Sequence, residues 1–183
     1  GTAEGLGRNH VTRLVSDPSG TMWIGTGGAG LVRFDGTRFF PFTSQDGLGG
    51  NYITGLMREA DGTLWVGANE EQPAQNSPRR GTLSLIRPDT PPEFISKGSR
   101  EFLGSGISGF CRESTGALWF STWDAGLIHF DSAEPGAIPK VYKTDGLPNS
   151  LPADLVCDVK MDASGGVWAP TWHKGIARFD GQE

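Results

Sequence analysis

Ser19-Gly-Thr-Met-Trp-Ile-Gly-Thr26 returns three more times along the chain, as Asp61-Gly-Thr-Leu-Trp-Val-Gly-Ala68, Thr115-Gly-Ala-Leu-Trp-Phe-Ser-Thr122 and Ser164-Gly-Gly-Val-Trp-Ala-Pro-Thr171. The central residues, Trp23, Trp65, Trp119 and Trp168, stand 42, 54 and 49 residues apart. A period of about 40 to 50 residues is that of a small sheet repeated as a structural unit.

Outward from each tryptophan the same short segments recur. Before it lie apolar residues, Val11, Leu14 and Val15, with the equivalent pairs Ile53 and Leu56, Ile107 and Phe110, and Val156 and Val159, which read as a first strand, a. A Gly or Asp-Gly turn then suits a tight hairpin into strand b, which carries the tryptophan. Beyond it, Gly30-Leu-Val-Arg-Phe-Asp35 recurs as Gly126-Leu-Ile-His-Phe-Asp131 and Gly175-Ile-Ala-Arg-Phe-Asp180, with a weaker copy at Gly81-Thr-Leu-Ser-Leu-Ile86. Its two-residue alternation predicts strand c. Segments Arg38–Thr43, Glu93–Ser96 and Lys140–Lys143 supply strand d, where Pro41 is tolerated because an outer edge needs no ladder donor.

The expected fold is therefore all-β, a β-propeller of about four blades of four antiparallel strands. The first and last blades are expected to be incomplete, because blade 4 stops at Asp180-Gly-Gln-Glu183 before a strand d. The blades run over about residues 7–48, 49–98, 99–147 and 148–183 of one domain. A small two-faced sheet cannot bury itself alone, so the four repeat tryptophans are assigned to the core between blades. The small residues Gly25, Gly67 and Ser121 would let the neighbouring sheet approach. Asp17, Asp35, Asp131, Asp162 and Asp180 are assigned to turns, and His129, replacing Arg33 and Arg178, to an exposed strand position.

Composition agrees with a folded, turn-rich chain: 28 Gly and 12 Pro, yet 36% hydrophobic and 10% aromatic residues among 183. A net charge of −5 leaves no basic footprint for nucleic acid or an anionic membrane surface. No apolar run reaches the roughly 18 to 20 residues of a spanning helix, so no direct membrane insertion is expected. Cys111 and Cys157 are too few for a disulfide framework or a zinc cluster and read as small, mostly buried residues.

The combined pattern, Asp-Gly-Leu at 46–48 and 145–147, the Trp hairpin, then Gly-x-x-Arg-Phe-Asp-Gly at 30–36, resembles the two-component regulator propeller repeat. The resemblance covers essentially the whole chain. It implies a non-catalytic sensor domain of a bacterial two-component-type regulator, located in the periplasm or outside the cell, that responds to oligosaccharides. Family propellers close with more blades than are counted here and are followed by signalling domains. Such a stretch is expected to be a fragment, or to pair as a homodimer through its open blade edges.

Ligand contacts are expected on the face formed by the b–c and d–a loops. Trp123 and Trp172 share one register, four residues after Trp119 and Trp168. Two indoles flanked by Asp124, His173 and Lys174 suit a sugar, whose apolar face stacks on the ring while its hydroxyls bond to polar neighbours. Asn51, Arg79 and Arg80 join the candidate set, with Arg8, Asn9, His10, Tyr52, Asn149 and Ser150 on the same face; local backbone bonding is the competing role for Asn51. The insertion Asn69–Arg80 of blade 2 could instead dock a protein partner. No catalytic residue, metal ligand or cofactor is assigned. A propeller lyase is the remaining alternative, with His173 and Asp124 or Glu70 as its acid/base pair.

Overall fold

A computed structural model of the chain describes residues 10–70, 80–87, 93–99, 104–131, 138–147 and 149–179, the stretch 93–99 by its backbone alone. It falls into two compact units, residues 1–101 and 102–183. Each unit holds two antiparallel sheets in which chain order and spatial order coincide.

In the first unit, blade 1 consists of β1 (Val11–Ser16), β2 (Met22–Thr26), β3 (Leu31–Phe34) and β4 (Phe39–Phe42). Blade 2 consists of β5 (Tyr52–Arg58), β6 (Leu64–Asn69), β7 (Gly81–Arg87) and β8 (Glu93–Ser99). The second unit holds blade 3, with β9 (Ile107–Arg112), β10 (Leu118–Thr122), β11 (Leu127–Phe130) and β12 (Lys140–Tyr142). Blade 4 has β13 (Lys160–Met161), β14 (Val167–Thr171) and β15 (Gly175–Phe179) as its described strands. The fold is the expected all-β propeller architecture, with strands a to d of blades 1 to 3 and a to c of blade 4 in the expected order.

Strand a of blade 4 departs from the expectation. Only Lys160 and Met161 pair with β14, and Val156 is reduced to an isolated bridge with Thr171. The cause lies in strand b. Pro170 occupies the position of Gly25, Gly67 and Ser121, and it has no N–H to complete the ladder. Its carbonyl accepts the Cys157 N–H at 2.8 Å, while Asp158 Oδ1 takes the neighbouring Val159 N–H, also at 2.8 Å. The strand is broken there.

Within each unit the tryptophan face of one blade packs on the next. Trp23 and Leu31 form one core with Ile53, Leu64, Val66 and Ile86 of blade 2. Trp119 and Leu127 do the same with Val156, Val159, Val167 and Ala169 of blade 4. Gly25 allows the first contact, since a Cβ there would lie 2.7 Å from Ile53 Cγ2. The innermost strands are also joined by hydroxyls: Thr12 Oγ1 donates to the Ile53 carbonyl at 2.7 Å, and Ser108 Oγ to the Val156 carbonyl at 2.5 Å.

The repeat tryptophans are fixed by a second interaction. The indole N–H of Trp65 donates to Glu59 Oε1 at 2.9 Å, that of Trp119 to Glu113 Oε1 at 2.6 Å, and that of Trp168 to Asp162 Oδ2 at 2.7 Å. Each acceptor stands six residues before its tryptophan, at the exit of strand a; Asp17 holds this offset before Trp23. An aspartate there has two roles: Asp162 Oδ1 accepts the Ser164 and Gly166 N–H groups and so builds the hairpin turn.

Opposite the tryptophan, strand c supplies a cover. In register, Arg33 pairs with Trp23, His129 with Trp119 and Arg178 with Trp168. His129 is thus not the exposed strand residue expected from its neighbours in sequence. Its ring stacks on Trp119 at 4.2 Å between centroids, and Nε2 lies 3.4 Å from Glu113 Oε1. A flat ring in this register gains more by covering the indole than by remaining in water. Arg178 plays the same part, lying over Trp168 while Nη2 sits 3.3 Å from Asp162 Oδ2.

Asp17, Asp35 and Asp162 hold turns as expected, whereas Asp180 lies outside the described residues. Asp17 Oδ1 accepts the Ser19 and Thr21 N–H groups. The Arg38 and Thr37 amides and the Thr37 hydroxyl hold the Asp35 carboxyl at about 2, well below the usual aspartate value. Cys111 is buried, and burial pushes its thiol up; Cys157 is half-buried, and both cysteines are free.

The indole clasp and the turn carboxylates each have a measurable effect on stability. Replacing Glu113 with Ala leaves a largely buried indole N–H without its acceptor, which should cost about 1 to 3 kcal/mol in chemical unfolding; Glu113→Gln, which keeps an acceptor oxygen, should cost less. A carboxyl depressed by folding stabilises above its unfolded value, near about pH 4, and that stabilisation is lost as pH falls through its folded value. Asp35→Asn should therefore flatten the decline of stability between about pH 4 and about pH 2 relative to the parent chain, as read by denaturant midpoints at each pH.

Candidate functional site

The b–c loops are built by a repeated threonine, three residues after each tryptophan. Thr26, Thr122 and Thr171 donate through Oγ1 to the carbonyls of Gly30, Gly126 and Gly175 at 2.7, 2.8 and 2.9 Å. The same Oγ1 accepts the Ala29 N–H in blade 1 and the Ala125 N–H in blade 3. Blade 2 has Ala68 here, and the bond is supplied from the opposite strand, where Thr82 Oγ1 donates to the Ala68 carbonyl at 3.1 Å. These closures position the residue that comes directly after the threonine.

In the second unit that residue is a tryptophan in both blades, Trp123 and Trp172. Their main-chain N–H groups donate to the carbonyls of Gly106 and Leu155 at 3.1 and 2.9 Å, and Val156 N–H donates to Thr122 at 2.9 Å. The two loops therefore flank one segment, Asp154 to Val156. Trp123 is half-buried. Trp172 is 54% exposed, with its ring 4.9 Å from that of His173 and nearly perpendicular to it. His173 has φ +60°, a left-handed conformation that costs a non-glycine residue energy; Gly28, in the same register of blade 1, adopts φ +113° freely. Lys174 is exposed beside it.

The other candidate residues are placed differently. Asp124 Oδ1 accepts the Ser105 N–H at 2.8 Å and occupies the space a Cβ on Gly104 would need, so the carboxylate holds the turn that enters blade 3. Asn51 Oδ1 accepts the Ser44 N–H at 2.8 Å and its Nδ2 donates to Ser44 Oγ, while its carbonyl receives the Gly28 and Gly30 amides. It ties the d–a loop to the b–c loop.

Sequence reasoning missed the partner of Asn51 in the second unit. Asp154 Oδ1 accepts the Thr144 N–H at 2.7 Å and its carbonyl receives the Gly126 N–H. The role is the same, but a longer connection, through Leu147 to Pro152, shifts it in sequence; the recurring Asp-Gly-Leu is the signal that locates the loop. Arg80 is exposed, and its carbonyl receives the Glu70 N–H at the base of the blade 2 insertion. Arg79 and most of that insertion lie outside the described residues, as do Arg8 and Asn9. In the first unit His10 stands edge-on to Tyr52 at 6.3 Å, and its carbonyl accepts the Gly27 N–H. Ser150 caps the turn after Leu147, and Asn149 is exposed. Among the described residues no group of three His, Cys, Asp or Glu is placed to hold a metal ion. No helix among them is long and apolar enough to cross a membrane.

Sheets with this strand order and these tryptophan-bearing second strands define the chain as a β-propeller repeat protein. Two stretches, residues 5–28 and 47–70, match the model of the two component regulator propeller repeat. Among solved structures, one described as the extracellular domain of a one component system from B. thetaiotaomicron superposes with a TM-score of 0.76 at 16% identity, over 97% of this chain and 22% of that one. The extracellular domain of a hybrid two component system from the same organism gives 0.66 at 21% identity, over 93% and 23%. A streptogramin B lyase gives 0.62 at 12% identity, over 95% and 55%. The chain thus spans less than a quarter of the first two structures, and at these identities all three speak for the fold. No curated protein matches by sequence.

Proposed function

We propose that this chain is part of a non-catalytic, ligand-binding sensor propeller working outside the cytoplasm, and that it takes an oligosaccharide on the b–c loop face of its second unit. The observation that carries the reading is Trp172. Trp65, Trp119 and Trp168 spend their indole N–H on a carboxylate, whereas Trp172 holds its backbone fixed and offers more than half its surface to solvent. An exposed, positioned indole beside a strained His173 and an exposed Lys174 suits stacking on a sugar face with donors at the rim. Trp123, across the Asp154 to Val156 segment, extends the platform. The repeat family and the extracellular, regulator-associated neighbours support the sensor role and the location.

The lyase reading is less well supported by the geometry. Asp124, the acid/base partner considered for His173, is already occupied by the Ser105 amide. A protein-docking role for the blade 2 insertion is separated from the sugar reading by deleting Gln72–Pro78, which would leave sugar binding intact.

The test is titration of the chain with oligosaccharides of several polysaccharide classes, read by tryptophan fluorescence. A saturable response from at least one class is expected. Trp172→Ala should weaken it about tenfold, which corresponds to about 1.4 kcal/mol, and the double variant with Trp123→Ala should abolish it. A panel without response, or a double variant that binds as the parent does, contradicts the proposal.

A further inference from the structure

At the loop rim of every blade one cross-strand pair joins the residue four after the repeat tryptophan to the residue that enters strand a. The pairs are Gly27 with His10, Asn69 with Tyr52, Trp123 with Gly106 and Trp172 with Leu155. Each pair holds one aromatic ring. In the second unit the ring stands on the b–c side, as Trp123 and Trp172; in the first unit it stands on the d–a side, as His10 and Tyr52.

The exchange has a steric basis. The atoms nearest to a Cβ placed on Gly27 all belong to the His10 ring, so His10 fills the space into which a side chain at the Trp123 register would grow. Gly27 also bridges to Tyr52, and the rings of His10 and Tyr52 meet edge to face at 6.3 Å. These two rings thus come from successive blades, as Trp123 and Trp172 do. Tyr52 and Asn69 are ladder partners, which places their side chains on one face. Asn69 is 5% exposed and its Oδ1 has no hydrogen-bond partner. A buried acceptor without a donor is satisfied by a hydroxyl or a water held beside it.

We infer that His10 and Tyr52, with the Asn69 amide beside Tyr52, form a second oligosaccharide platform on the loop face of the first unit. The class of ligand rests on the sugar reading of Trp172, because the rings occupy the same rim pairs in both units. An imidazole and a phenol carry an apolar face and polar ring edges, which suit the C–H face and the hydroxyls of a sugar. All three residues belong to the first unit, so this platform binds without Trp123 or Trp172.

The test is NMR of the full chain with 13C-labelled histidine and tyrosine rings, titrated with cellohexaose, xylohexaose and mannohexaose. Because the chain has 2 Tyr and 3 His, each signal reports one place. His10 and Tyr52 report this platform and His173 the Trp172 site, while His129 and Tyr142, stacked on Trp119, report neither. At least one sugar should shift His10 and Tyr52 saturably, and Trp172→Ala should leave that shift in place. His10→Ala, at an exposed position, should melt as the parent does and weaken the binding read at Tyr52 about tenfold. His10→Gly combined with Gly27→Trp, which copies the blade 3 pair, should restore it. Shifts of His173 alone would overturn the inference and leave the Trp172 reading standing, whereas shifts of His10 and Tyr52 alone would support the inference and contradict that reading. Silence from all three sugars would overturn both, and a His10→Ala chain that binds as tightly as the parent would overturn the inference alone.

Discussion

The contact on which the architecture depends is the repeat tryptophan held between a carboxylate and the neighbouring sheet. A blade is too small to bury both of its faces, so its stability comes from the next blade. A large flat indole provides most of the shared surface, but its N–H must find an acceptor once water is excluded. The acid six residues upstream supplies it at the mouth of the hairpin, where the carboxylate keeps some contact with solvent. The strand c residue then closes the other side, as a guanidinium over Trp168 and as an imidazole over Trp119. Packing and polar satisfaction are thus met by three residues from three adjacent strands.

This arrangement frees the loops. Because the carboxylate, the indole and the loop threonine lock the hairpins of blades 3 and 4, the two or three residues after the threonine can vary without cost to the sheet. Blade 1 uses Gly27 and Gly28 there, and blades 3 and 4 use Trp123 and Trp172. The same indole side chain therefore serves two ends: in strand b it is scaffold, and four residues later it lies in the loop, half-buried at Trp123 and exposed at Trp172. Asn51 and Asp154 tie the b–c loops of blades 1 and 3 to the d–a loops that follow them, and the Trp172 N–H reaches Leu155 in the second of these d–a loops.

The blades and their strand order were legible because the tryptophan hairpin and the Gly-x-x-Arg-Phe-Asp strand both recur with clear two-residue alternation. The core role of Trp23 and its copies was legible for the same reason. The clasp was only half visible: Asp17 and Asp162 read as turn residues, and Glu59 and Glu113, which make the same indole bond without the full turn, carried no turn signal. His129 misled because charge and polarity suggest exposure, while its position opposite Trp119 decides burial. The break in strand a of blade 4 could have been read from Pro170 by asking which amide the ladder would lose. Asp154 was hidden by a change in loop length, which shifts register in sequence and leaves the backbone bond unchanged. At the candidate site, the register of Trp123 and Trp172 was legible, but the occupation of Asp124 and Asn51 by backbone amides is a three-dimensional fact.

The division between clasped and free tryptophans is the central claim, and hydrogen exchange of the indole N–H groups measures it directly. In 15N-labelled protein transferred to D2O, the indole signals of Trp65 and Trp119 should persist long after that of Trp172 has disappeared. Exchange of Trp65 and Trp119 as fast as Trp172 would contradict the account, because their bonds to Glu59 and Glu113 would not then be holding the blades.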